Sequence, residues 1–207
     1  TDYSKQILIS SYLDNRIGVI DETIGNIRYQ IDDLLVYQNT IITETVTKGL
    51  NSSAKLRITN NDFFKSYPEN WVLNKIKYVS KMVTDGAHVS PELENGVMPF
   101  VSTVDLKDDK IDFENCLKTS LRSYEQFVLN NCKPLKNDVL ISKDGTIGRT
   151  IVVDFDKNFV VGSSLVIIRP KTNINPYYLN YFLKSKPIQD LLVLLMTDSN
   201  NTFPQLF

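Results

Sequence analysis

From Ser4 to Lys48 the chain has no proline, and apolar residues recur at Leu13, Ile17, Ile20, Ile24, Ile27, Ile31 and Leu34 in a 4-3-4-3-4-3 spacing. That is an a/d heptad seam, which keeps one narrow stripe turned toward a partner as helices supercoil. The stripe continues past Gln38 to Ile41, and Gly18 and Gly25 fall outside it. Roughly 45 residues at ~1.5 Å each make a rod of about 65 Å, far longer than the mean globular helix. A helix of that length cannot bury its seam on a small domain alone, so the pattern demands another helix. Asp2 or Ser4 is placed to cap its start, and Gly49, just after Lys48, to stop it. Gln38 on the seam is either a register device or a solvent-tolerant end of the stripe.

After residue 50 the pattern changes. Residues 51–69 are polar and turn-rich and read as a linker. Short apolar runs follow at Trp71 to Val83, Val97 to Val101, Val139 to Ile141, Thr150 to Val153, Phe159 to Val161 and Leu165 to Ile168. They are rich in Val, Ile, Phe and Tyr and bounded by Gly, Asn, Asp, Lys and Pro, which suits strands. Ser123 to Leu129, Pro176 to Lys184 and Pro187 to Met196 read as helices, the last two with proline at or near the first turn. The expected organisation is a long coiled-coil-forming N-terminal helix over 1–50, a linker over 51–69 and a mixed α/β globule over 70–207. The fold class is α+β.

Composition removes several function classes. The two cysteines, Cys116 and Cys132, and the one histidine, His88, exclude a cysteine zinc site, a disulfide framework and H-E-x-x-H chemistry. No apolar run approaches a membrane span, and no basic-then-apolar leader opens the chain, so a soluble cytoplasmic protein is expected. Lys and Arg total 23 against 24 for Asp and Glu, and from residue 62 onward the two classes number 17 each. Net charge therefore gives no sign of nucleic acid, although a local patch can exist.

Catalytic motifs fail their checks. Asn175-Pro176-Tyr177-Tyr178 echoes the base-holding N-P-P-Y of adenine methyltransferases but lacks the second proline and opens a helical pattern. Asp105-Leu106-Lys107 and Asp108-Asp109-Lys110 match the D-x-K of some nucleases, yet the run 105–112 reads more simply as a solvated turn. There is no G-x-x-x-x-G-K-[ST] loop, and Ser163-Ser164 lacks the G-x-S-x-G elbow. His88 has no partner readable from spacing, and a structural or surface role is its default. What remains is a loop: Asp138 to Ser142 runs as a strand into Lys143-Asp144-Gly145-Thr146-Ile147-Gly148-Arg149, followed by another strand. Its glycines allow a tight path, and Lys143, Thr146 and Arg149 supply donors for phosphates or base edges. An ordinary β-hairpin would look the same.

The chain resembles the specificity subunit of type I restriction–modification enzymes over nearly its whole length. The first segment is similar to that family's spacer helix, whose usual opening E-Q-x-x-I-x-x-Y-L-D stands here as Lys5-Gln6-Ile7-Leu8-Ile9-Ser10-Ser11-Tyr12-Leu13-Asp14, with lysine in place of the glutamate. PENWVLNKIKYVSKMVTDGAHVSP, KNDVLISKDGTIGRTIVVD, FVVGSSLVIIRPK and NPYYLNYFLKS resemble a target recognition domain. The resemblance implies a non-catalytic subunit in which two recognition domains, held apart by two antiparallel spacer helices, each read half of a split double-stranded DNA site. A separate modification subunit then methylates adenine, and a restriction subunit joins through it. One helix and one recognition domain imply a half-subunit or fragment, and residues 198–206 fall where such a domain would still continue. Two copies pairing through Leu13–Leu34 would rebuild a two-reader assembly.

On this reading the DNA contacts come from Thr84, Asp85, His88 and Ser90, from Lys143, Thr146 and Arg149, and from Ser163 and Ser164. Arg149 is the candidate for a bidentate contact to guanine or a phosphate, its competitor being a salt bridge with Asp144 or Asp154. Lys75, Lys77 and Lys81 are phosphate contacts or merely solvated. No metal or cofactor is implied for this chain. The alternative is a coiled-coil protein–protein interaction module with no DNA role, which an apolar exposed groove would favour and clustered polar loops would not.

Overall fold

The computed structural model describes residues 2–107 and 110–197. The chain divides into two units, residues 1–41 and 42–207. The first is helical throughout: α1 spans Tyr3–Lys48, its last turns entering the second unit. At its start the Gln6 amide donates to the Asp2 carbonyl, and at its end Gly49, with φ +79°, donates to the Thr45 carbonyl at 3.0 Å. The glycine stop falls where the sequence places it. The seam is bare: Leu13, Ile17, Ile20, Ile24, Ile27, Ile31 and Leu34 are 42–64% exposed. Within its own unit nothing covers it, and the heptads call for a partner helix.

The second unit is built on an antiparallel four-stranded sheet in the order β3 (Ser80–Asp85), β11 (Leu165–Pro170), β8 (Val139–Ser142), β9 (Thr150–Val152). Its two central strands are apolar and buried from Val139 to Ile141 and from Leu165 to Ile168 because both faces are covered, and alternation then sends neighbouring residues to different cores. Leu140, Leu165 and Ile167 face one side, packed with Val101, Phe159 and Val161. Val139, Ile141, Val166 and Ile168 face the other, beneath α4 (Pro176–Lys184) and α5 (Lys186–Thr197), which contribute Leu179, Leu183, Ile188 and Leu192. A second sheet pairs β10 (Val160–Val161) parallel to β4 (Met98–Val101) and β4 antiparallel to β7 (Leu117–Thr119). It is covered by α3 (Leu121–Leu129) through Tyr124 and Phe127.

Several local expectations need correction. Within residues 51–69 lies a hairpin, β1 (Leu56–Ile58) with β2 (Ser66–Pro68). Its turn is closed by the Asn61 side chain, which accepts from the Phe63 and Phe64 amides at 2.9 Å each. Phe64 stacks on Phe182 with ring centroids 5.7 Å apart, which fastens the hairpin to α4. Turn chemistry dominates this stretch and masks three-residue strands. Trp71 to Val83 is not one strand: Ile76–Val79 forms the short helix α2, and regular pairing begins at Ser80. The residues before it line an apolar hollow of about 220 Å³ with Val46, Phe64, Trp71, Tyr178 and Phe182. Burial there pushes the Tyr178 phenol above its ordinary pKa.

The run 105–112 is not a solvated turn throughout. Asp105 is buried and caps the short turn Thr103–Asp105, accepting from the Ser102 amide at 2.7 Å and its hydroxyl at 2.9 Å. β5 (Leu106–Lys107) and β6 (Lys110–Ile111) flank Asp108 and Asp109, which lie outside the described residues. Residues 198–206 also lie outside them. Asn175-Pro176-Tyr177-Tyr178 is a helix start: the Asn175 side chain accepts from the Tyr177 amide at 2.8 Å and the Tyr178 amide at 3.1 Å, with Pro176 in the first turn.

Candidate nucleic-acid interface

Three polar segments that the sequence singles out meet at one end of the four-stranded sheet. β3 ends on Asp85, β8 runs out into Lys143, and the Ser163-Ser164 turn leads into β11 between them. The backbone itself brings them together. Lys143 donates to the Ser164 carbonyl at 2.9 Å, Ser163 to the Ala87 carbonyl at 2.9 Å, and Gly86 to the Leu165 carbonyl at 2.9 Å. Gly86 and Gly162 cross so closely that a β-carbon on Gly86 would collide with the Gly162 and Val161 carbonyls. Glycine is required there for approach.

Side chains complete the join. The Lys143 ammonium reaches across the start of β11 to the Asp85 Oδ2 at 2.6 Å, with only 14% of the lysine side chain exposed against 39% for the aspartate. The His88 Nε2 lies 3.2 Å from the same oxygen. Thr84 is half-buried and donates to the Asp85 carbonyl at 3.3 Å. Ser164 is tied inward, its hydroxyl accepting from the Thr103 amide and its carbonyl from the Thr103 hydroxyl, both at 3.1 Å. Ser90 stays exposed and outside this network. A groove of about 710 Å³ opens beside it, lined by Thr84, Asp85, His88, Phe127, Asn130 and Cys132. Burial pushes the Cys132 thiol above its ordinary pKa, and the Asp85 charge adds to the effect.

The Lys143–Arg149 segment is a tight hairpin held from inside. The Ser142 hydroxyl donates to the Thr146 carbonyl at 2.5 Å and accepts from the Arg149 amide at 2.9 Å. Gly145 and Gly148 both adopt positive φ, +71° and +81°, where side chains with a β-carbon are disfavoured. Arg149 pairs with neither Asp144 nor Asp154; its guanidinium donates to the Leu106 carbonyl at 2.6 Å, leaving the residue exposed. The Thr146 side chain is exposed.

Sequence reasoning missed Ser142 and Gln189. The Gln189 amide of α5 donates to the Gly148 carbonyl at 3.0 Å and to the Leu183 carbonyl at 2.7 Å, clamping the loop to the helical layer. A β-carbon at Gly148 would run into that amide. No spacing in the sequence links residues 41 positions apart. Lys75, Lys77 and Lys81 are exposed, with the Lys77 ammonium 5.3 Å from the Tyr78 ring. Among the described residues no group of acidic, histidine and cysteine side chains is placed to hold a metal ion, and no helix is long and apolar enough to cross a membrane.

Residues 68–203 match the family described as the type I restriction modification DNA specificity domain, and the chain belongs to that family. It is 26% identical over 200 residues to the type I restriction enzyme EcoBI specificity subunit of Escherichia coli, covering 92% of this chain and 41% of that protein. Its fold is that of the HsdS subunit from Thermoanaerobacter tengcongensis, with a TM-score of 0.53 at 17% identity over 98% of this chain and 44% of the other. The chain thus spans less than half the length of these relatives.

Proposed function

We propose that this chain is a non-catalytic, sequence-specific double-stranded DNA-binding specificity component of a type I restriction–modification system, acting in the cytoplasm. It reads one half of a bipartite site and directs a partner adenine methyltransferase there, with the restriction subunit joining through that partner. The observation that supports this most is the convergence of Asp85, His88, Lys143 and Ser164 into one braced polar surface on a domain of the DNA specificity family. Residues that touch bases need fixed positions, and strands that end together provide them. Thr84, Ser90, Thr146, Arg149 and Ser163 lie on the same segments and complete the reading surface.

The bare seam supports a homodimer. Two copies pairing from Leu13 to Leu34 would place two heads along rods of about 65 Å, the reach of about two turns of B-DNA at ~34–36 Å each. The apolar hollow at Trp71 and Phe182 favours the second reading, protein docking without DNA, and the two readings part in one experiment. In the analytical ultracentrifuge the chain at micromolar concentration is expected to run as a dimer and the I20D/I27D variant as a monomer. A labelled duplex of mixed sequence is expected to co-sediment at low salt and to be released as salt rises, because phosphate contacts release counterions. A strict monomer removes the pairing; a duplex left behind at every salt concentration removes the DNA reading.

A further inference from the structure

The geometry points to Asp85 as the residue that selects a base, accepting the exocyclic amino group of a cytosine or adenine in the major groove through its Oδ1 oxygen; this rests on the DNA reading above. Both neighbours sit on the other oxygen, Oδ2, with the Lys143 ammonium at 2.6 Å and the His88 ring nitrogen at 3.2 Å. Oδ1 has no hydrogen-bond partner among the described residues, on a side chain that is 39% exposed. An ionised carboxylate only accepts, and Oδ1 has its lone pairs to spare. In the major groove only cytosine N4 and adenine N6 present amino donors. Guanine and thymine turn carbonyl oxygens toward a reader and would be repelled.

A bare carboxylate would also be repelled by the phosphates. Lys143 offsets that charge, so the ammonium serves as an internal counter-ion and the aspartate does the selecting. The placement is rigid. Asp85 ends a strand paired to Val166, and the next two residues are fixed by the Gly86 and Ala87 amides donating to the Leu165 and Val161 carbonyls at 2.9 and 2.8 Å. A carboxylate anchored through one oxygen, at a strand end whose following two amides are bonded, holds the other oxygen toward the open side.

The test is selection from a randomised duplex pool by the chain assembled with a type I modification subunit. The parent is expected to enrich a half-site in which one column is restricted to an amino-bearing base by about ten- to a hundredfold. D85A is expected to relax that column to all four bases, with discrimination under about threefold, while the other columns keep their profile. D85N preserves the shape if alanine prevents folding; its oxygen stays on the Lys143 ammonium and its amide nitrogen faces the groove, so the same column is expected to shift toward guanine or thymine, whose carbonyl oxygens accept. An unchanged profile in D85N, or weaker binding spread evenly over every column with the circular dichroism spectrum intact, would make Asp85 a brace and overturn the inference. Should the parent enrich no sequence at all, the DNA reading fails first, and this assignment falls with it.

Discussion

Replacing Arg169 by alanine is expected to cost the 42–207 unit about 3–5 kcal/mol, the range for stripping the partner from a buried charge. Asp138 is 1% exposed. Its Oδ1 accepts from the Arg169 Nε at 2.9 Å and its Oδ2 from the Nη2 at 2.8 Å, while the Leu135 amide adds a third bond at 2.7 Å. The bidentate pair ties the end of β11 to the start of β8, beside the Ile168–Val139 register. Without the guanidinium the carboxylate stays in a dry site with one donor. At ~2–4 °C per kcal/mol for a unit of this size, the midpoint in a thermal melt should fall by about 6–20 °C. The double variant D138N/R169M should recover at least half of that loss, because it removes the charge along with its partner. A single variant that melts within about 2 °C of the parent would show that the pair adds nothing to the fold.

Gly86→Ala is expected to damage both stability and recognition, with a cost of about 3 kcal/mol or more from overpacking against atoms that cannot yield. The obstacles to a β-carbon are main-chain carbonyls of Val161 and Gly162, so no rotamer relieves the clash. Relief has to come from moving the β10–β11 turn, which carries Ser163, Ser164 and the carbonyl that receives the Lys143 amide. The contrast is with Gly18 and Gly25 in α1, where a β-carbon meets nothing within 4 Å. Alanine at either of those positions should strengthen the helix by roughly 0.5–1 kcal/mol. A G86A chain that melts with the parent and binds DNA equally would show the crossing to be loose.

The features legible in the sequence are those with a period or a punctuation mark. The heptad spacing from Leu13 to Leu34 and the glycine at 49 give α1 and its end. The apolar runs at 139–141 and 165–168 lie in the two central strands, because a strand buried on both faces needs no polar alternation. Elements two or three residues long, such as β5 to β7, leave no periodic trace. Asp105 reads as one acid in a charged run, and only its bonds to Ser102, in a turn closed by tertiary packing, reveal a cap.

The site divides the same way. Asp85, His88, Lys143 and Ser164 stand on turn-rich segments that sequence can mark, and strand order joins them. The clamp from Gln189 to Gly148 and the bond from Arg149 to the Leu106 carbonyl depend on chain paths 41 and 43 residues apart, for which the sequence holds no signal.

The proposed function gives this chain DNA sequence specificity and leaves the chemistry to its partner. Methylome sequencing of a host that expresses it with a type I modification subunit tests this most directly. Methylated adenines are expected in one short, defined motif that appears only when both proteins are present. That motif is expected to change when residues 84–90 and 143–149 are replaced by those of another family member. Adenine methylation that is absent, or that keeps the same motif after that replacement, would contradict the proposed function.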